Sequence, residues 1–170
     1  MFRQKMRRAS LKGQVEHRRE ADCLLSNPGD VVLVLRGVPR SLVIKCPDGC
    51  GDIITVNLDP RADKAWALYA DRGRITLFPS VWRDSGCGAH FILWNNKIYW
   101  TETDRLGTDL DAVTRDNVLR LLSMKPKSYL ELAKALDVIP WEILVACQLL
   151  VDENLVVEDK KNRGWFSLKR

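Results

Sequence analysis

The segment Cys46-Pro-Asp-Gly-Cys50-Gly places two thiols four residues apart, and Cys87-Gly-Ala-His90 adds a third thiol and an imidazole further along the chain. The glycines allow the tight backbone turns that would aim both sulfur atoms of the first segment at one point. Three cysteines and one histidine make a complete ligand set for a tetrahedral ion. The spacing therefore predicts one zinc ion per chain, with Cys46, Cys50, Cys87 and His90 as ligands.

Cysteines also pack as small hydrophobic side chains or form disulfides, and both are alternatives here. Cys23 and Cys147 stand alone, which is typical of buried packing residues. A disulfide between Cys46 and Cys50 would require an oxidising compartment, but no apolar secretory leader precedes these segments. No apolar run is long enough to span a membrane either. These features predict a cytoplasmic protein with reduced thiols.

Positive charge is concentrated at the N-terminus. The chain has a formal net charge of +5, and its first twenty residues hold seven lysines and arginines against two glutamates. Residues 1–28 are therefore expected to form a basic arm or a short helix. Such segments bind phosphate backbones or are simply solvated, and Arg7 and Arg8 are the candidates for phosphate contact.

Short runs rich in β-branched and aromatic residues follow, at 31–35, 41–44, 53–58, 66–69, 74–78, 91–94 and 97–100. Asn95-Asn96 separates the last two runs and tolerates the positive φ angles of a tight hairpin. Residues 29–107 are thus predicted to form a small antiparallel meander resembling a zinc ribbon. The first two thiols would lie at a hairpin tip, where a metal could support a core too small to be stable alone.

Several motifs occur in an order that resembles bacterial domain of unknown function family 6527. They are Gly37-Val-Pro-Arg-Ser-Leu, Cys46-Pro-Asp-Gly-Cys-Gly, Thr76-Leu-Phe-Pro-Ser-Val-Trp82, Cys87-Gly-Ala-His-Phe91 and Trp100. The resemblance implies a role in a bacterial ubiquitin-like conjugation pathway, with a ubiquitin-like protein and E1-like or E2-like enzymes as partners. It also implies a peptidase or deconjugating activity.

The resemblance covers residues 29–100 and says nothing about either end of the chain. Many members of that family carry a further cysteine where this chain has Asp48. This departure leaves open a ligand set that includes Asp48.

The number of protein ligands decides what a zinc ion does. Four ligands make a structural clamp, whereas three leave a position for an activated water. The four candidates favour a structural site. The open alternative would release Cys46 or recruit Asp48, and it would need Asp84 or Glu102 as a general base.

Ser80, in Pro79-Ser-Val-Trp82, is a further candidate nucleophile, and it would need a histidine to accept its proton. The chain has two histidines. His90 is assigned to zinc and His17 lies in the basic segment, so neither is left for this role. The favoured role of Ser80 is therefore to end a strand and shape a loop.

After Gly107 the apolar period changes from two to about three and a half, which predicts a second domain over residues 108–170. Thr114 is a candidate helix cap, Ser128-Tyr-Leu-Glu131 is a capping box, and Pro140 suits the first turn of a third helix. A β-hairpin follows at residues 155–168. The order resembles a winged helix-turn-helix, so the predicted fold class is α+β.

The third helix is expected to expose Trp141, Val145 and Leu149 as an apolar stripe. Such a face suits a protein partner better than the polar edges of DNA bases. The hairpin tip carries Lys160, Lys161 and Arg163, which could contact phosphates. Two functions are therefore predicted: an accessory or processing factor of a ubiquitin-like pathway, or alternatively a zinc-stabilised winged-helix regulator that binds DNA.

Overall fold

The computed structural model describes residues 5–104, 106 and 112–169. The chain divides into two compact units, residues 1–105 and residues 106–170. Together they make an α+β protein with small, mainly antiparallel sheets, as the sequence predicts. The junction expected at residues 108–111 lies outside the described residues.

The described part of the first unit contains nine strands and two short 3-10 helices. The strands are β1 (Ser10–Val15), β2 (Asp30–Arg36), β3 (Val38–Lys45), β4 (Ile53–Asn57), β5 (Ala67–Asp71), β6 (Arg74–Phe78), β7 (Val81–Trp82), β8 (His90–Trp94) and β9 (Lys97–Trp100). The 3-10 helices are Arg18–Glu20 and Asp22–Leu24.

The largest sheet has the strand order β1-β2-β3-β4. Strands β3 and β4 are antiparallel, and Lys45 pairs with Ile53 at the end of their ladder. The turn between those two residues contains Cys46 and Cys50. The first two thiols therefore lie at a hairpin tip, as predicted.

Part of the basic N-terminal segment, for which an arm or a short helix is expected, forms strand β1 of this sheet, and the two short 3-10 helices follow it. Strand β1 pairs in parallel with β2, with an irregularity between Leu11 and Gly13. The backbone N–H of Met6 also donates to the carbonyl of Pro47 at 2.8 Å. An edge strand hydrogen-bonds to a neighbouring strand on one side only, so its residues can be polar. Because the partner of β1 is the distant strand β2, local composition gives little sign of the pairing.

The remaining strands form the hairpin β5-β6 and the meander β7-β8-β9. Asn95 and Asn96 connect β8 to β9 with φ angles of 49° and 63°. These are the positive values that a tight hairpin requires and that asparagine tolerates. The predicted hairpin is confirmed.

The core of the first unit is built from alternating strand residues. Phe91, Leu93 and Trp100 are buried together with Leu42 and Leu77 in one apolar cluster. Cys46 belongs to the same cluster and is fully buried. A smaller cluster around Val32 and Val43 lies on the opposite side of the β2-β3 ladder, because neighbouring strand residues point to opposite faces.

The second unit consists of α1 (Ala112–Leu121), β10 (Lys127–Ser128), α2 (Tyr129–Leu136), α3 (Pro140–Asp152), β11 (Val156–Glu158) and β12 (Trp165–Leu168). Its three strands have the order β10-β12-β11, and both pairings are antiparallel. Its core includes Val118, Leu132, Ile143, Leu150 and Phe166. None of the helices formed by the described residues is long and apolar enough to cross a membrane.

Two helix starts agree with the sequence and one does not. Pro140 occupies the first turn of α3, and Ser128 caps α2. Thr114 lies inside α1, which begins at Ala112, so the predicted cap at Thr114 is wrong.

The exposed stripe expected on α3 is also absent. Trp141 and Val145 are each 6% exposed, and Leu149 is half-buried. Seven of the thirteen residues of α3 are buried, including Ile143 and Leu150 on the predicted inner face. A helix that is apolar on nearly every side does not reveal from its sequence which side faces water.

Ser128→Ala is expected to lower the free energy of unfolding by about 1 kcal/mol. The Ser128 hydroxyl accepts hydrogen bonds from the backbone N–H groups of Leu130 and Glu131, and the Glu131 carboxylate accepts one from the Ser128 N–H. Chemical denaturation of the full chain measures the change. Ser128→Thr keeps the oxygen and should retain most of the stability, whereas equal loss in both variants would contradict the role of the cap.

Candidate active site and metal centre

Ser80 and His90 are brought together by the short ladder between β7 and β8. Val81 pairs with Phe91 and Trp82 pairs with His90. Val81 and Phe91 are buried in the core. Because side chains alternate along strands, Trp82 and His90 lie on the other face of the ladder, and Ser80, two residues before Trp82, projects to the same side.

The Ser80 hydroxyl Oγ lies 3.0 Å from His90 Nε2. This is hydrogen-bond distance for a hydroxyl that donates to an imidazole nitrogen. A serine in this position can lose its proton to the ring as it attacks a carbonyl carbon. The arrangement is one that a serine nucleophile and its general base can adopt.

Both members of this pair are held by neighbouring groups. The indole Nε1 of Trp66 donates to the carbonyl of Ser80 at 3.1 Å. The backbone N–H and the hydroxyl of Thr101 both donate to the carbonyl of His90, each at 3.2 Å. The ring of Trp82 lies beside that of His90, with centroids 5.9 Å apart. Trp82 is 67% exposed, so one side of the imidazole is covered by an aromatic ring that also faces solvent.

The metal-ligand candidates lie on a turn and a loop of the same unit. In the turn after β3, the N–H of Gly49 donates to the carbonyl of Cys46, and the N–H of Cys46 donates to the carbonyl of Asp52. Gly49 and Gly51 have φ angles of 77° and 91°, where glycine avoids the steric cost of a side chain. The sequence therefore folds locally into a tight knuckle.

The side-chain sulfur atoms of Cys46, Cys50 and Cys87 lie within 4.8 Å of one another, close enough to hold a metal ion. Cys46 and Cys87 have their Sγ atoms 3.6 Å apart. Two thiolates on one tetrahedral zinc are separated by about 3.8 Å, because each Zn–S bond is about 2.3 Å long. A disulfide would hold the sulfurs at about 2.0 Å, and all three cysteines are free. The donor set fits a thiophilic ion.

The charge environment differs between Cys46 and Cys87. Burial raises the pKa of Cys46 to about 12. Burial also acts to raise the pKa of Cys87, but the N–H of Ala89, the neighbouring thiols and the Arg83 guanidinium outweigh it, so that pKa is lowered. Arg83 Nη1 lies 3.9 Å from Cys50 Sγ and 2.6 Å from a carboxylate oxygen of Asp52. The site therefore favours a thiolate at Cys87, and thiolates are the form that binds metals.

His90 does not belong to the metal group formed by the described residues, although the sequence assigns it there. Its Nε2 is bonded to Ser80 instead. Asp48 is likewise outside the group, as are the two carboxylates considered as general bases. Asp84 is exposed, and Glu102 is exposed with an oxygen 3.9 Å from Lys5 Nζ.

The two solitary cysteines have different environments. Cys147 is fully buried in the second unit, as expected. Cys23 is exposed, and its thiol donates to the carbonyl of Glu20 at 3.0 Å, so burial is the wrong prediction for Cys23.

The basic residues considered for phosphate contact are all exposed, but they are not equivalent. Arg7 forms an ion pair with Asp104, and Arg8 is bridged to Lys97 through the backbone. The group Lys160, Lys161 and Arg163 lies at the tip between β11 and β12. DNA binding by these residues stays a prediction.

The sequence names both Ser80 and His90 but gives them unrelated roles. The sequence feature that indicates their proximity is the alternation in Ser80-Val-Trp82, which predicts that the serine and an exposed aromatic residue lie on one face of the strand. Pairing of that strand with the one starting at His90 completes the site. The Cys-x2-His spacing instead favours a metal-ligand role for His90, because this spacing is typical of metal ligands.

The Ser80–His90 pair and the cysteine cluster both lie in the region that matches a known family. No curated protein and no solved structure matches the chain. A family model does match residues 16–101, about half of the chain, which includes the whole of both sites. The match supports the association with bacterial ubiquitin-like systems that the sequence resemblance implies. The chain belongs to the BubE family, described as the bacterial ubiquitination-like system serine protease.

Proposed function

We propose that this protein is a serine peptidase that cleaves a ubiquitin-like protein of its bacterial pathway at the tail or at a conjugate bond. The observation that carries the proposal is the 3.0 Å contact between Ser80 Oγ and His90 Nε2. The family description names a serine protease, and Ser80 lies within the matched residues. A nucleophilic Ser80 differs from the loop-shaping role that its sequence context favours.

The reaction follows from the two side chains. Ser80 Oγ attacks the carbonyl carbon of the scissile bond while its proton passes to His90 Nε2. The tetrahedral intermediate collapses as His90 returns that proton to the leaving amine, which leaves an acyl-enzyme ester on Ser80. Water then attacks the ester, giving its proton to His90, and the free carboxylate and the Ser80 hydroxyl are regenerated.

The metal has a structural role in this proposal. Cys46, Cys50 and Cys87 would hold one zinc ion, which supplies a link between the turn after β3 and the loop before β8. His90 follows Cys87 by three residues, so fixing the loop at Cys87 also fixes the backbone that carries the base. Sulfur-rich ligand sets are typical of structural zinc, and the Ser80–His90 pair removes the need for a zinc-activated water.

The pathway also supplies the proposed partners, which are a ubiquitin-like protein and E1-like or E2-like enzymes. The second unit has the element order α1-β10-α2-α3-β11-β12, which supports a winged-helix assignment. We propose that this unit is an adaptor for a pathway protein. With Trp141 and Val145 buried, its contact surface would lie elsewhere than the stripe expected on α3.

A fluorophosphonate probe tests the proposed function directly, because it reacts with serines that a neighbouring base activates. The full-length protein is expected to be labelled at one site, and peptide mapping by mass spectrometry should place the adduct on Ser80. Matched labelling of Ser85→Ala controls for an exposed serine of the same region. Absence of labelling, or an adduct that maps to another serine, would contradict the assignment.

A further inference from the structure

A groove of about 750 Å³ lies beside the nucleophile. Its lining is mainly apolar and includes Val38, Leu58, Trp66, Leu68 and Tyr69. The Trp66 ring borders the groove, while its Nε1 donates to the carbonyl of Ser80. The Trp66 side chain therefore separates the groove from Ser80. Two or three residues of an extended peptide, at about 3.3 Å each, are long enough to cover that distance.

The groove runs along the edge of strand β5. Three consecutive residues, Ala67, Leu68 and Tyr69, contribute to its wall. Side chains alternate along a strand, so a groove over one face would meet only every second residue. Within the described part of the chain, β5 pairs with β6 on one side and with no strand on the other. An open strand edge can bind an extended peptide as an added strand.

The loop that follows β4 and lines the groove is fixed by hydrogen bonds and ion pairs within the protein. The Asp59 carboxylate accepts hydrogen bonds from Arg61 Nε and Nη2 at 2.8 and 2.9 Å and also pairs with Arg40. The Asn57 side-chain amide donates to the carbonyls of Asp59, Asp63 and Lys64. Asp59 is buried and compensates one of the two arginine charges, while the part of the wall formed by Val38, Trp66 and Leu68 presents apolar surface.

We propose that this groove binds the extended, apolar segment of the substrate that leads to the scissile bond. The inference rests on the proposed function and specifies its substrate: an unstructured tail with apolar side chains two to four residues before the cleaved bond. The tail would lie along β5 with one or more of those side chains against Trp66, Leu68 and Val38. Acidic side chains at the same positions would be disfavoured, because desolvation in an apolar groove is costly.

Two fluorogenic tetrapeptides test this specificity. Both end in glycine, and the two residues before that glycine are leucine in one and aspartate in the other. The wild-type protein is expected to prefer the leucine peptide by about 10-fold or more in kcat/KM, the usual discrimination of an apolar pocket. Val38 is 43% exposed on the groove wall, and Val38→Asp should reduce this preference at least about fivefold, mainly by raising the KM of the leucine peptide.

Val157→Asp is the matched control, since Val157 is a strand valine that is 40% exposed and lies in the second unit. Val38→Thr, which is nearly isosteric, gives a second variant and should shift the preference in the same direction by less. The proposed role of the groove would be contradicted if Val38→Asp leaves the preference unchanged. It would also be contradicted if a protein whose Ser80 is labelled cleaves neither peptide, and in both cases the proposed function would stand. Failure to label Ser80 would overturn the proposed function and the groove with it.

Discussion

Ser80→Ala is expected to reduce cleavage of the ubiquitin-like substrate by about 10³-fold or more. The reason is that alanine removes the only atom of residue 80 that can form the acyl-enzyme, while the hydrogen bond from Trp66 to the backbone carbonyl is kept. Rates under single-turnover conditions measure the loss. Ser85→Ala should retain the wild-type rate because Ser85 is exposed and outside the pair. A Ser80→Ala protein that keeps more than about a tenth of the activity would contradict the role of Ser80.

The double variant distinguishes a catalytic pair from two separate contributions. His90→Ala alone is expected to cost about as much as Ser80→Ala, since the serine is a poor nucleophile without its base. Residues that act as one unit show strongly non-additive losses, so Ser80→Ala combined with His90→Ala should be no slower than either single variant. If the activity loss of the double variant instead equals the product of the losses of the two single variants, the two residues act separately.

Cys50→Ser is expected to lower the free energy of unfolding by about 3 kcal/mol or more, because metal binding is coupled to folding. Protein purified without added metal should contain about one zinc per chain, and the variant should lose it. Cleavage should fall as well, since the loop that Cys87 anchors continues into His90. Denaturation curves and elemental analysis of the same samples measure both changes.

Cys23→Ser is the matched control, because Cys23 is exposed and outside the cluster. It should keep both the metal content and the stability of the wild type. Metal-free wild-type protein, with a Cys50→Ser variant of unchanged stability, would rule out the metal centre.

Local signals predicted much of the fold. The capping box at Ser128, the Pro140 helix start and the Asn95-Asn96 turn each depend on residues within one turn of chain, and each is present. Strand β1 depends on pairing with β2, about twenty residues later in sequence, so its charged composition concealed it. The difference is between structure encoded locally and structure stabilised by a distant partner.

The candidate site was predicted residue by residue but not as a geometry. The three thiols meet as expected because two of them share one hairpin tip. His90 stands in the same short segment as Cys87, and spacing alone does not show which way its ring points. The β8 register turns the ring toward Ser80, and only the pairing with β7 reveals this.

The most direct test of the account is the His90→Ala variant, measured in parallel for bound zinc and for fluorophosphonate labelling of Ser80. In the proposed mechanism His90 is the base of the catalytic pair, and it lies outside the cysteine cluster. We therefore expect labelling to fall by about 100-fold or more while zinc stays at about one per chain. Loss of zinc with labelling retained would contradict this assignment and indicate that His90 is a metal ligand.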